Sequence, residues 1–264
     1  MGKHFFQPVQ ISPAVGTQRA VAQRHDMSLL TPPKPAQTQQ EAARWWPYLQ
    51  RQSPESGRWC ALYEEIASPP AEKAGIVVQM LRDNDLTQAQ RKLDECRQAL
   101  DGFAPGTPSS VSALAELAYL TALAYLQYRR GEAEEARNSL DRSVIAIECA
   151  IRNSPFLTPS AGRCYELQLH RARISRNQGE WDRMWQEVAR GRAMVAGKAP
   201  LCAGSTGDIY IEDICRFYRS AKPLNEIERE SLDNLSDAEF LRRQYEAHCL
   251  SATLVPSIVF DSVP

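Results

Sequence analysis

Residues 128–145, YRRGEAEEARNSLDRSVI, decide the fold. An apolar run ends at Tyr128-Arg129-Arg130, and Gly131 supplies the left-handed turn that closes a helix. Glu132, Glu134 and Glu135 then open a second helix, where acidic side chains complement the N-terminal dipole and read as a solvated face. Ala136, Leu140 and Ser143 follow at helical spacing, small at the points of close approach and large in between. A stretch of this kind predicts two helices folded back on each other.

The same grammar recurs upstream in RDNDLTQAQRKLDECRQAL (82–100) and downstream in RNQGEWDRMWQEVARGRAM (176–194). Asn84, Gly131 and Gly179 take the turn position, about 47 residues apart, a spacing that signals stacked supersecondary units. Five residues beyond each turn stand Ala89, Ala136 and Met184. Core apolar residues follow at Leu93, Leu140 and Val188, then small ones at Cys96, Ser143 and Gly191. Upstream, Leu120, Leu123 and Ala124 repeat a large, large, small pattern.

This pattern resembles the tetratricopeptide repeat in a long-period form, over residues 70–197. Gly131, Ala136, Leu140 and Leu123-Ala124 match that family's strongest positions, and Trp181 stands where it often has Tyr. The resemblance implies an all-α fold of stacked antiparallel helical hairpins, an α-solenoid whose first helices line a concave groove. It places Val78 and Leu81 in that groove from the first unit, Tyr125 and Tyr128 from the second, and Arg173, Arg176 and Asn177 from the third. The expected partner is another protein or a peptide, apolar at one end and acidic or carboxylate-bearing at the other.

The remaining chain fits a helical protein with extended ends. Residues 1–38 are rich in Gln, Pro, Thr and Ser, include Pro32-Pro33-Lys34-Pro35, and read as an extended or flexible tail. Residues 39–250 form the helical domain, with helices expected near 39–52, 55–67, 70–83, 87–101, 109–130, 132–153, 159–178, 180–197, 207–220 and 224–249. Ser109, Ser160 and Thr206 stand at N-cap positions, and Ser205 with Asp208 has capping-box spacing. Residues 251–264, SATLVPSIVFDSVP, read as an extended C-terminal tail; it or HFFQPVQI near the N-terminus could fill the groove.

Composition narrows the function classes. Thirty-one basic and 32 acidic side chains leave a net charge of −1, which gives no bulk argument for nucleic acid or an anionic membrane. The most apolar stretch, Val111 to Leu126, is shorter than a bilayer span and reads as a buried helix. Seven cysteines (60, 96, 149, 164, 202, 215, 249), an odd number without a CxxC pair, point to reduced thiols and a cytoplasmic protein.

No residue set points to a cofactor, a metal or a catalytic site. His248-Cys249 are adjacent and Cys164 with His170 lacks ligand spacing on a helix. The loop Gly204-Ser205-Thr206-Gly207 reads as a helix cap rather than an anion site. Trp45-Trp46-Pro47-Tyr48 with Trp59 and Tyr63 read as a hydrophobic lid, and Trp181 with Trp185 as packing between hairpins. One charge asymmetry stands out: residues 159–198 carry eight basic against four acidic side chains, and 206–249 ten acidic against six basic. These observations favour a non-catalytic adaptor, chaperone or assembly factor. A ligand- or peptide-responsive regulator and an all-helical biosynthetic enzyme or enzyme subunit are the alternatives.

Overall fold

The computed structural model describes residues 49–220. The expected tails 1–38 and 251–264, the helix near 224–249, the Trp45–Tyr48 cluster and His248-Cys249 lie outside the described residues. Within them the chain is all-α: residues 49–52 are helical and eight α-helices follow. These are α1 (Pro54–Ile66), α2 (Ser68–Arg82), α3 (Leu86–Asp101), α4 (Ser109–Arg129), α5 (Ala133–Asn153), α6 (Gly162–Asn177), α7 (Trp181–Val195) and α8 (Ile211–Ser220). A 3-10 segment, Pro155–Ala161, precedes α6, and strands β1 (Cys202–Ala203) and β2 (Asp208–Ile209) precede α8.

Three of the helices begin where polar side chains satisfy amides of the first turn. Ser53 and Ser56 form a reciprocal capping box at α1, with amide-to-hydroxyl distances of 3.0 and 3.1 Å. Asp85 caps α3 by accepting from the Gln88 amide at 3.1 Å. Asp213 accepts from the Tyr210 amide at 2.9 Å at the head of α8.

Helices α2/α3, α4/α5 and α6/α7 pack as consecutive pairs, and α4 also packs on α2 and α3. Each pair turns at a residue with positive φ: Asn84 at 64°, Gly131 at 80° and Gly179 at 73°. The backbone bonding is the same at all three. The residue after the turn donates back to Met80, Gln127 or Ser175, and the turn residue donates to Leu81, Tyr128 or Arg176. This double bond pattern satisfies carbonyls that the helix end would otherwise leave open.

The nine offset positions read from the sequence are all buried: Ala89, Leu93 and Cys96; Ala136, Leu140 and Ser143; Met184, Val188 and Gly191. Small residues let the second helix of each pair approach the first, while the larger ones fill the space between them. Helix α4 has the length and apolarity of a bilayer-crossing segment, yet it is largely enclosed. Its buried residues fall on most sides, as expected of a core helix packed by α2, α3 and α5.

Several expected boundaries differ. Ser109 is the first residue of α4, not its cap; Pro108 holds the cap position with no side-chain bond. Ser160 lies inside the 3-10 segment, its hydroxyl donating to Leu157 O at 2.7 Å, and α6 starts only at Gly162. Residues 202–209 form a β-hairpin in place of a helix start. Cys202 pairs with Ile209, Ala203 with Asp208, and the Gly204 amide donates to Gly207 O at 2.7 Å. Thr206 is therefore an exposed loop residue, and Ser205 with Asp208 makes no capping box. The hairpin is tied to α5 by the Ala203 amide donating to Glu148 at 3.0 Å.

Candidate functional site

The three turns gather polar side chains that link one helix pair to the next. Arg129, the last residue of α4, donates to Leu81 O and, at 2.8 Å, to Asn84 Oδ1 at the first turn. Between the second and third turns the link is Arg137. Its guanidinium is 2% exposed and donates to Glu134, to Glu180 at 2.5 Å and to Ser175 Oγ at 3.2 Å. Arg183 adds a contact to Glu134 at 3.3 Å. Gln127 receives a bond from Ser139 at 2.7 Å, so polar Gln127 and Ser175 occupy their inward positions as hydrogen-bond partners.

Of the expected groove residues, four lie near the C-terminal ends of α4 and α6. Asn177 Nδ2 donates to the Tyr128 hydroxyl, joining residues 49 apart in sequence. Arg173 Nη1 lies 3.0 Å from His170 Nδ1, one turn back along α6, and Arg176 is half-buried beside it. Burial first, then the charges of Arg173 and Arg163, push the His170 pKa well below its ordinary value. The imidazole is therefore neutral and can accept from Arg173.

Leu81 and Tyr125 do not present an open lining. Leu81 is 0% and Tyr125 2% exposed, and both belong to the cluster that joins α2, α3 and α4. Val78 is half-buried at its edge. Their side chains cement the neighbouring helices, because α2 packs directly on α4 and takes up the surface that their spacing assigns to the groove. The rest of the expected set is polar: Tyr128, Arg173 and Arg176 are half-buried and Asn177 is exposed. Two guanidiniums beside a phenol and an amide can hold a carboxylate through charge-assisted hydrogen bonds.

One aromatic feature differs in position from its sequence reading. Trp181 and Trp185 are 58% and 42% exposed on the outer side of α7, not packed between hairpins. Their neighbours Met184 and Val188 face inward, so the four-residue spacing marks the outer stripe. Gly179 to Arg183 line a shallow recess of about 490 Å³ there. Trp59, by contrast, is buried. It stacks on Tyr63 at 5.2 Å and meets Phe156 edge-on at 5.9 Å.

The indole of Trp59 donates to Ser110 Oγ at 2.8 Å, and Ser154 Oγ donates to the same oxygen at 2.8 Å. This chain floors a second recess of about 410 Å³, with Glu55 and Arg58 among its lining. Neither that chain nor the burial of Arg137 was legible beforehand. Helical spacing gave the only hint for Arg137, which follows directly on the small residue Ala136.

The neighbouring Cys202 thiol, and then burial, raise the Cys164 pKa well above the thiol range. Among the described residues no three His, Cys, Asp or Glu side chains converge as a metal site. Compared with protein-family models, curated proteins and solved structures, the chain matches none.

Proposed function

We propose that the protein is a non-catalytic binding module, an adaptor, chaperone or assembly factor built on tetratricopeptide-like hairpins. It captures an extended or helical peptide segment by a carboxylate-bearing end at Tyr128, Arg173, Arg176 and Asn177. The supporting observation is the juxtaposition of Tyr128 and Asn177 across two successive helix pairs, with Arg173 and Arg176 on the same helix. The repeated turn at Asn84, Gly131 and Gly179 supports a hairpin stack as the scaffold. Arginine suits such a site because its planar fork matches a carboxylate and stays charged at any physiological pH.

The test uses fluorescent peptides ending in acidic residues, each paired with its C-terminal amide, titrated against the full chain. The carboxylate forms bind more tightly than the amides, and replacing Arg173 and Arg176 together by Ala weakens them about tenfold, an effect of roughly 1.4 kcal/mol. Equal binding of acid and amide by the wild type, or affinity unchanged in the double variant, removes the reading.

A further inference from the structure

Counted from the turns, α3 and α5 meet the helix pair that follows them through the same positions. Two residues past the turn, Leu86 and Ala133 are half-buried against the core. Six past Gly131, Arg137 bonds Ser175 and Glu180 of the next pair. Ten past it, Asp141 pairs with Arg171 of α6. Thirteen past Asn84, Arg97 lies over the Tyr119 ring of α4, 5.6 Å from its centre, and 4.0 Å from Glu116. Spacings of four, four and three put these positions on one stripe of a helix.

In α7 the same stripe reads Trp181, Trp185, Ala189 and Arg192, and all four residues are exposed. Helix α7 packs on α6, and among the described residues no further helix pair follows it. Met184, Val188 and Gly191 take the inward side. The surface by which α3 and α5 receive a neighbour is therefore presented outward on α7. Two indoles one turn apart, with a guanidinium in line, are the residue types that anchor protein interfaces.

The stripe is complementary to itself when reversed. Its N-terminal end holds the two indoles, the exposed carboxylate of Asp182 and the shallow recess lined by Gly179 to Arg183. The other charges there are engaged within the chain, Glu180 by Arg137 and Arg183 by Glu134. The C-terminal end holds the small side chains of Ala189 and Ala193, with Arg192, Arg190 and Lys198 exposed. Glu187, between the two ends, is engaged by Gln168. In an antiparallel pair of α7 helices with a two-fold axis at Glu187, position 182 comes level with 192, 185 with 189 and 181 with 193. Rings then meet small side chains, and Arg192 of each copy reaches Asp182 and the indoles of the other. That contact has its counterpart within the chain, where Arg97 covers the Tyr119 ring.

We propose that two copies of the chain pair antiparallel through α7, each covering the Trp181–Trp185–Ala189–Arg192 stripe of the other. One surface serves both sides, so the pairing closes at the dimer. Fifteen residues of helix give a contact about 22 Å long. That is small beside an obligate interface, so the copies exchange, with a Kd on the order of 10 μM.

Sedimentation velocity of the full chain, from about 1 to about 200 μM, reads the pairing. The wild type passes from monomer to dimer across this range. Trp181→Ala with Trp185→Ala raises the Kd about tenfold or more, and D182R or R192E alone does the same. The combined D182R/R192E chain recovers to within about threefold of wild type, as does an equimolar mixture of the two single variants, because each reversed charge again meets its opposite across the axis. All the replaced side chains are exposed, and equal helical content by circular dichroism confirms that each variant folds. A wild type monomeric throughout, a dimer unmoved by these substitutions, no recovery in the combined chain, or assembly beyond the dimer overturns the proposal.

Discussion

Arg137 donates to Glu180 at 2.5 Å across 43 residues of sequence, from a side chain that is almost wholly buried. The pair joins the first turn of α5 to the residue that opens α7, with Ser175 of α6 held in the same fork. A guanidinium in this position fixes the spacing of two successive helix pairs more sharply than apolar contact does, because its hydrogen bonds are directional.

Replacing Arg137 by Ala therefore removes both the bonds and the packing of the aliphatic stem. Glu134 and Glu180 keep access to water, so no buried charge is stranded. The expected loss is about 2–3 kcal/mol, measured as a shift in the urea midpoint. Arg137→Lys keeps the charge but not the fork and falls between the two. An Ala variant as stable as wild type would show that the link between pairs lies elsewhere.

The turn residues give a sharper contrast. At Gly131, with φ of 80° and open space around the missing side chain, Ala meets no neighbour and only the backbone objects. Gly131→Ala should cost about 1 kcal/mol, the penalty of a left-handed conformation in a residue with a Cβ. Asn84→Gly relieves the same strain but removes the 2.8 Å acceptor of Arg129, leaving stability within about 0.5 kcal/mol of wild type. Thermal unfolding of the two variants side by side checks the ordering.

These turns were legible in the sequence because positive φ admits few residue types, and Gly or Asn before an acidic helix start is a narrow signal. The buried offsets beyond them followed from helical period alone. The hairpin at 202–209 was not legible, since Gly204-Ser205-Thr206-Gly207 serves a hairpin loop as well as a helix start. Four-residue spacing placed Trp181 and Trp185 on one face of α7 but could not tell which face. Aligning the turns placed Tyr128 and Asn177 near the ends of successive units, but their contact came only with the structure. The enclosure of Leu81 and Tyr125 did not, because it depends on how closely α2 approaches α4.

Thiol chemistry offers a direct probe of the core. Burial lifts the Cys60 thiol to about 12, with Glu64 adding to the rise, and burial likewise raises Cys96, whose Sγ donates to Pro70 O at 3.2 Å. Cys164 is raised by the neighbouring Cys202 thiol and by burial. Cys149 is half-buried near the C-terminal end of α5. The reagent must reach the sulfur, and four of these thiols are buried, so maleimide at pH 7.5 should label Cys149 well before Cys60, Cys96, Cys164 or Cys202. Peptide mapping after a time course reads the order, and early labelling of Cys60 or Cys164 would contradict the packing described for them.

The depressed pKa of His170 makes stability depend on pH in a defined direction. In the folded protein the imidazole stays neutral, held so by burial and by Arg173 and Arg163. In the unfolded chain it takes up a proton below its ordinary value of 6.5. Between 6.5 and the lower folded pKa the unfolded state binds more protons, so stability falls as pH falls. The contribution is complete above that window and declines by up to about 1.4 kcal/mol for each pH unit within it. His170→Gln retains an acceptor for Arg173 but cannot titrate. Its urea midpoint should change less than that of wild type between pH 7.5 and 5.5, with helical content equal at pH 7.5. Parallel midpoints across that range would place the acid-sensitive group elsewhere.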